Sequence, residues 1–248
     1  LCLAEGPDGT IWIGTWGGGI ARFDREAARF VHFQADPFDP HSLSSNWVHA
    51  LHEDHDGLIW IGTAAGLERL DRDLGHFVTI WRAGGDVTAI REDMDRNLWF
   101  ATASGVGRLD RASGQVTRFA PSTDRPGAAG RQRVQAIHQD GSKRIWLGTA
   151  RGLCQLDPSA GAFTCYTEQD GLADDVVMAI REDVPGRLWI STAGGLSRFD
   201  PSTGVFRNYD VSDGLQGYEF THASCRGGDG TLYFGGINGL NSFDPRRS

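Results

Sequence analysis

Four groups of residues in this chain have types and spacings from which chemistry could be built. Asp93-Met94-Asp95-Arg96-Asn97 has the D-x-D-x-N spacing of a calcium loop. The glycine and the distal bidentate glutamate that such a loop needs do not follow it. His49, His52 and His55 lie three apart, which puts neighbours on opposite faces of a strand and does not converge them on zinc. Cys154 and Cys165 flank the turn Asp157 to Ala162, so a hairpin would set them opposite each other. A disulfide and a pair of buried thiols both fit, and the compartment decides between them. The fourth group is aromatic: Trp16, Trp47 and Trp81 stand outside a pattern that governs the other tryptophans. No G-x-S-x-G elbow, H-E-x-x-H or P-loop occurs, so no catalytic residue, metal or cofactor is expected.

The elements that must position these residues come from a repeat. The stretch His41 to Asp71 holds one full copy. It has a polar lead-in, an apolar run Val48 to Leu51, an acidic turn, a second apolar run around Trp60, Gly62-Thr63, and a third segment from Gly66 to Asp71. The pattern recurs at aromatic anchors Trp12, Trp60, Trp99, Trp146, Trp189 and Tyr233, 39 to 48 residues apart. An Asp precedes the anchor by six residues at Asp54, Asp93, Asp140 and Asp183, while Gly6 and Gly227 take that place in the end copies. Such repeated Asp residues are read as acceptors for turn backbone N–H groups.

Each copy gives four short strands, in the second copy Val48–Glu53, Leu58–Gly62, Leu67–Leu70 and His76–Trp81. Fourth strands are expected at Phe30–Phe33, Val116–Phe119, Phe163–Tyr166 and Phe206–Tyr209. Turns of a few residues make the strands antiparallel. Leu58-Ile59-Trp60-Ile61 is apolar throughout, so that strand is covered on both faces. Four-stranded sheets covered by copies of themselves are the blades of an all-β propeller, with the anchor rings filling the gaps between blades. No segment has the helical period of a solenoid. One domain spans 1–248, because no linker interrupts the repeat. The chain starts at Leu1 inside a motif, and the sixth copy stops before a fourth strand. The expectation is an excised piece carrying six blades of a seven-bladed ring.

In a propeller, the connections between second and third strands emerge on the same face as the links between blades. That face should carry Trp16, Asn46, Trp47, Arg151, Tyr218, Glu219, His222 and Asn238. Aromatic platforms beside Arg, Asn and acidic groups suit a sugar or another small polar ligand. Covering of blade edges is the plainer role for the two tryptophans.

The net charge is −8 with one lysine, which argues against nucleic acid and anionic membranes as partners. No apolar run is long enough to cross a membrane, and direct membrane contact is not expected.

The segments Asp39-Pro40-His41-Ser42-Leu43-Ser44-Ser45-Asn46, Leu58 to Thr63 and Gly195-Leu196-Ser197-Arg198-Phe199-Asp200 resemble the two-component regulator propeller repeats. The last copy, from Tyr218-Glu219-Phe220 to Gly239-Leu240, is similar to the final repeat of such regions. The resemblance implies the periplasmic or extracytoplasmic sensor region of a membrane-bound hybrid two-component protein or a related diguanylate cyclase. An immunoglobulin-like domain, a membrane helix and a signalling output would follow it, and homodimerisation would occur through the full receptor. The expected role is non-catalytic sensing of a carbohydrate or other polar small molecule. A lyase resembling the streptogramin lyases and a protein-binding scaffold are the alternatives.

Overall fold

Short apolar runs between Gly and Asp turns pair locally, because hairpin closure over a few residues costs little entropy. The computed structural model describes residues 2–247 apart from 7–8, 26, 73, 83–84, 121–132 and 184–185. Its described strands form five four-stranded antiparallel sheets and one of three strands, the blades of a β-propeller. The first comprises β1 (Cys2–Glu5), β2 (Ile11–Gly14), β3 (Ile20–Asp24) and β4 (Arg29–Phe33). The second comprises β5 (Val48–Glu53), β6 (Ile59–Thr63), β7 (Gly66–Asp71) and β8 (His76–Trp81). The third comprises β9 (Val87–Glu92), β10 (Leu98–Thr102), β11 (Gly105–Leu109) and β12 (Val116–Phe119). Next come β13 (Val134–Gln139), β14 (Ile145–Thr149), β15 (Gly152–Asp157) and β16 (Ala162–Tyr166). The fifth blade holds β17 (Val177–Glu182), β18 (Leu188–Thr192), β19 (Gly195–Asp200) and β20 (Val205–Tyr209). The sixth holds β21 (Phe220–Arg226), β22 (Leu232–Gly236) and β23 (Gly239–Phe243). Boundaries agree with the expected ones to within a residue at each strand end.

The chain divides into two compact units, Leu1–Arg118 and Phe119–Ser248. Within each, the cores lie between neighbouring blades. Trp12 of the first blade packs with Val48, Ile59 and Ile61 of the second, and Trp60 with Val87, Leu98 and Phe100 of the third. In the second unit Trp146 packs with Val177, Leu188 and Phe199, and Trp189 with Phe220, Leu232 and Phe234. The anchor rings fill the space between sheets, each contributing about 2–3 kcal/mol by area burial.

The small residue two places after the anchor lets blades approach closely. A Cβ on Gly62 would lie 2.6 Å from the Val87 carbonyl oxygen, and one on Gly148 would lie 2.6 Å from Val177 Cγ1. One feature was not foreseen from the sequence. The first strand carries a bulge in each of β5, β9, β13, β17 and β21, for example between Val48 and Ala50.

A second unforeseen feature concerns the third strand. Its second residue after the opening glycine is Glu68, Gly107, Cys154, Ser197 or Asn241, and each solves the same packing problem differently. Glu68 accepts the Ser44 backbone N–H through both oxygens, at 3.1 and 3.2 Å. Ser197 Oγ accepts from Ala173 N at 3.0 Å, and Asn241 Oδ1 from Gln216 N at 3.0 Å. In each case the lead-in loop of the same blade is fastened beside its buried or half-buried leucine, Leu43, Leu172 or Leu215. The Gly107 place is filled by the Phe100 ring, and Cys154 forms a disulfide with Cys165, its cross-strand partner.

Candidate functional site

The connections on the expected ligand face are built by one local device. The Thr that closes the second strand bonds back across the turn. Thr15, Thr102, Thr149 and Thr192 Oγ1 donate to the carbonyls of Gly19, Gly105, Gly152 and Gly195 at 2.8 to 3.1 Å. The glycine that reopens the chain is required at Gly19. Its φ is +75°, and a Cβ there would lie 2.2 Å from the Phe33 carbonyl oxygen.

In the first unit the structure brings Trp16, Asn46 and Trp47 together. Trp16 and Trp47 face each other in an isolated antiparallel bridge, which puts both side chains on the same side of the pair. Four backbone bonds fix this junction. Gly17 N and Gly19 N donate to the Asn46 carbonyl at 2.9 and 3.0 Å, Val48 N to Thr15 O at 2.9 Å, and Ala64 N to Trp47 O at 3.0 Å. The Asn46 Oδ1 accepts the Ala35 N–H at 2.7 Å, so this side chain holds the linker. The two indoles remain open to solvent, Trp16 at 67% and Trp47 at 53%. They do not cover the blade edge closely enough to be buried.

In the second unit Tyr218, Glu219 and Asn238 share one corner. Ile237 N donates to the Glu219 carbonyl at 3.2 Å, and the Asn238 amide lies against Gly217. All three side chains are exposed. Arg151 is exposed at the turn between β14 and β15, its backbone N–H donating to Thr149 Oγ1 at 3.1 Å. His222 sits within β21 and not on a connection, its Nδ1 lying 3.2 Å from the Met178 carbonyl.

The opposite turns carry a bonding unit that sequence reasoning had only half right. The repeated Asp does cap its turn, as Asp54 Oδ1 does for Asp56 N and Leu58 N at 3.0 and 2.9 Å. Its other oxygen accepts the anchor indole N–H. Trp60, Trp99, Trp146 and Trp189 Nε1 donate to Oδ2 of Asp54, Asp93, Asp140 and Asp183 at 2.6, 2.8, 2.8 and 2.8 Å. Arginines complete three of these units: Arg111 from the next blade at Asp54, Arg144 at Asp140 and Arg187 at Asp183. The signal was present in the constant spacing of six between a carboxylate and a ring N–H.

The same bonding recurs in the Asp93–Asn97 turn. Asp93 Oδ1 accepts from Asp95 N and Asn97 N at 2.9 and 2.8 Å, and Asn97 Nδ2 donates to the same carboxylate. Asp54, His55 and Asp56 come close enough to share an ion, but Arg111 already faces both carboxylates at 3.1 and 2.9 Å. Burial, followed by the charge of Arg91, holds the His52 ring down at about 4. Burial likewise pushes the Glu68 carboxyl up.

These blades define an all-β propeller, and comparison with known proteins places its repeats. The model of the two-component regulator propeller family matches residues 1–17, 42–65 and 171–194. Histidine kinase P4 of Formosa agariphila is 35% identical over 60 residues, which is 24% of this chain and 4% of that protein. The extracellular domain of a hybrid two-component system from B. thetaiotaomicron superposes with a TM-score of 0.77 at 22% identity. That match covers 97% of this chain and 32% of the other. Virginiamycin B lyase from Staphylococcus aureus superposes at 0.73 with 18% identity, over 98% of this chain and 78% of the lyase. Both structural likenesses establish the fold. The chain spans 4% of that kinase and 32% of that extracellular domain. No helix among the described residues is long and apolar enough to cross a membrane.

Proposed function

We propose that the chain is a non-catalytic, ligand-sensing propeller from the extracytoplasmic part of a membrane-bound two-component or cyclic-di-GMP signalling protein. The observation that carries this reading is the Trp16–Trp47 junction. Two large indoles stand in solvent on loops that four backbone hydrogen bonds hold still. A pre-ordered aromatic pair binds a flat polar ring with little ordering cost, which favours a carbohydrate as ligand. The Cys154–Cys165 disulfide supports an oxidising compartment, and with it the periplasmic side. Signalling requires that ligand favour one arrangement of the receptor over another.

The test is a thermal-shift screen of the protein against an oligosaccharide panel. Ligand at 100 times its dissociation constant raises stability by about 2.7 kcal/mol. Trp16→Ala and Trp47→Ala should each abolish the shift while leaving the unliganded melting temperature within a few degrees. Binding that survives both substitutions would move the site elsewhere. Silence across the panel would favour a protein partner.

A further inference from the structure

The third strand opens in the same way in the second to sixth blades, with one chemical exception. Gly66, Gly105, Gly152, Gly195 and Gly239 begin these strands with φ between +122° and +144°. Side chains rarely adopt that region, so the blade requires glycine there. The residue before it is Ala65, Ser104, Arg151, Gly194 or Asn238. The sixth blade thus sets the chain's one Asn-Gly step in the turn between β22 and β23.

Asn238 also differs from the other asparagines in how it is held. Asn46 Oδ1 accepts Ala35 N at 2.7 Å, and Asn97 Nδ2 donates to Asp93 Oδ2 at 3.2 Å. Asn208 Nδ2 donates to Gly171 O and Asn241 Oδ1 accepts Gln216 N, both at 3.0 Å. The exposed Asn238 side chain makes no hydrogen bond among the described residues. Its glycine is open as well. In the second, fourth and fifth blades the carbonyl oxygen of Trp81, Tyr166 or Tyr209, on the fourth strand, lies 2.2 to 2.8 Å from the Cβ this glycine would carry. The sixth blade has three described strands, and nothing lies within 4 Å of the same place on Gly239.

We infer that Asn238 is a modification site, where the neutral amide converts spontaneously to a mixture of isoaspartate and aspartate. Base removes the Gly239 amide proton, and the electron pair of that nitrogen attacks Asn238 Cγ. The Cγ–Nδ2 bond breaks, and ammonia leaves with a proton from water. Water then opens the succinimide at one carbonyl or the other, giving aspartate or isoaspartate. Glycine lets the two atoms meet, whereas the side chains of Trp47, Leu98, Tyr209 and Ser242 crowd the attack after the other asparagines. The product places a carboxylate at the corner that already holds Glu219. Isoaspartate also adds a main-chain atom to the hairpin that the Gly236–Gly239 pair closes. This chemistry stands whether or not the Trp16–Trp47 junction binds sugar.

The experiment ages the protein in mildly alkaline buffer and follows it by ion exchange and by mass spectrometry of its tryptic peptides. Asn238 falls in the peptide from Gly227 to Arg246. The expected result is a growing acidic species whose mass gain, that of NH₂ exchanged for OH, lies on Asn238. Conversion should be several-fold faster there than at any other asparagine, and faster as pH rises. Isomerisation at Asp229-Gly230 in the same peptide leaves the mass unchanged and is not mistaken for it. Asn238→Ala, which copies Ala65 of the second blade, should abolish the early acidic species and leave the melting temperature where it was. Three results overturn the assignment: another asparagine converting first, an early acidic species that persists in Asn238→Ala, or an Asn238 that stays an amide after the free Gly227–Arg246 peptide has converted completely.

Discussion

Replacing Asp140 by Ala tests how much the carboxylate–indole unit holds a blade. Asp140 is fully buried and makes four bonds. Oδ1 accepts Ser142 N and Arg144 N at 2.9 and 3.0 Å, and Oδ2 accepts Arg144 Nε and Trp146 Nε1 at 2.6 and 2.8 Å. Alanine leaves the Trp146 N–H buried without an acceptor, which costs about 1–3 kcal/mol. The two turn N–H groups can reach water in part, so each adds about 0.5–1 kcal/mol. Arg144 keeps contact with solvent and adds little. The sum is about 2–5 kcal/mol, which for a chain of this size lowers the melting temperature by roughly 4–20 °C. The assay is thermal and urea unfolding of wild type, Asp140→Ala, Trp146→Phe and the double variant. Because both single changes break the same bond, the double variant should be more stable than additivity predicts by about 1–2 kcal/mol. A loss below about 1 kcal/mol in Asp140→Ala, or strict additivity in the cycle, refutes the reasoning.

Two further outcomes follow from single sites. His52 is kept neutral by burial and the nearby Arg91, so the folded protein takes up this proton near pH 4 while the unfolded chain takes it up near 6.5. The unfolded state therefore binds more protons between these values, and the His52 contribution, present above 6.5, is lost as pH falls. Stability should drop by about 2 kcal/mol between pH 6.5 and 5, and His52→Phe should flatten that slope in urea titrations. Thiol counting on the denatured, unreduced protein should find two free cysteines, Cys2 and Cys225, and four after reduction. Reduction should cost about 2–3 kcal/mol, the value for a short closed loop, and an unchanged melting temperature in reductant would contradict a bond that holds β15 to β16.

The blades themselves were legible because their signals are local and recur. Apolar runs around Trp60 or Trp146, closed by Gly-Thr, give strand type and order without tertiary information. The carboxylate–indole bond was legible in principle. The sixth copy lost both partners, with Gly227 and Tyr233, while the first lost only the Asp and kept Trp12. The bulges were hidden, since an extra residue such as His49 or Met178 leaves no composition mark. Most of the face residues could be placed on loops by counting. That Asn46 holds the linker, and that His222 belongs to a strand, needed the backbone path.

The variable place on the third strand has a consequence for how such an array assembles. A chain of near-copies can mispair, because one lead-in segment could dock on a neighbour's sheet as easily as on its own. Here each sheet offers a different lock. Glu68 presents an acceptor to Ser44, Ser197 a hydroxyl to Ala173, and Asn241 an amide to Gln216, while Gly107 and the Cys154–Cys165 bond offer no polar acceptor of this kind. A segment that strays to the sheet of Gly107 or Cys154 meets a ring or a bridged sulfur and leaves its backbone N–H without that acceptor, while at the other sheets it meets an acceptor of different reach. If this divergence helps each segment find its own sheet, a consensus version with one residue at all these positions should refold more slowly and with more aggregation than the natural chain.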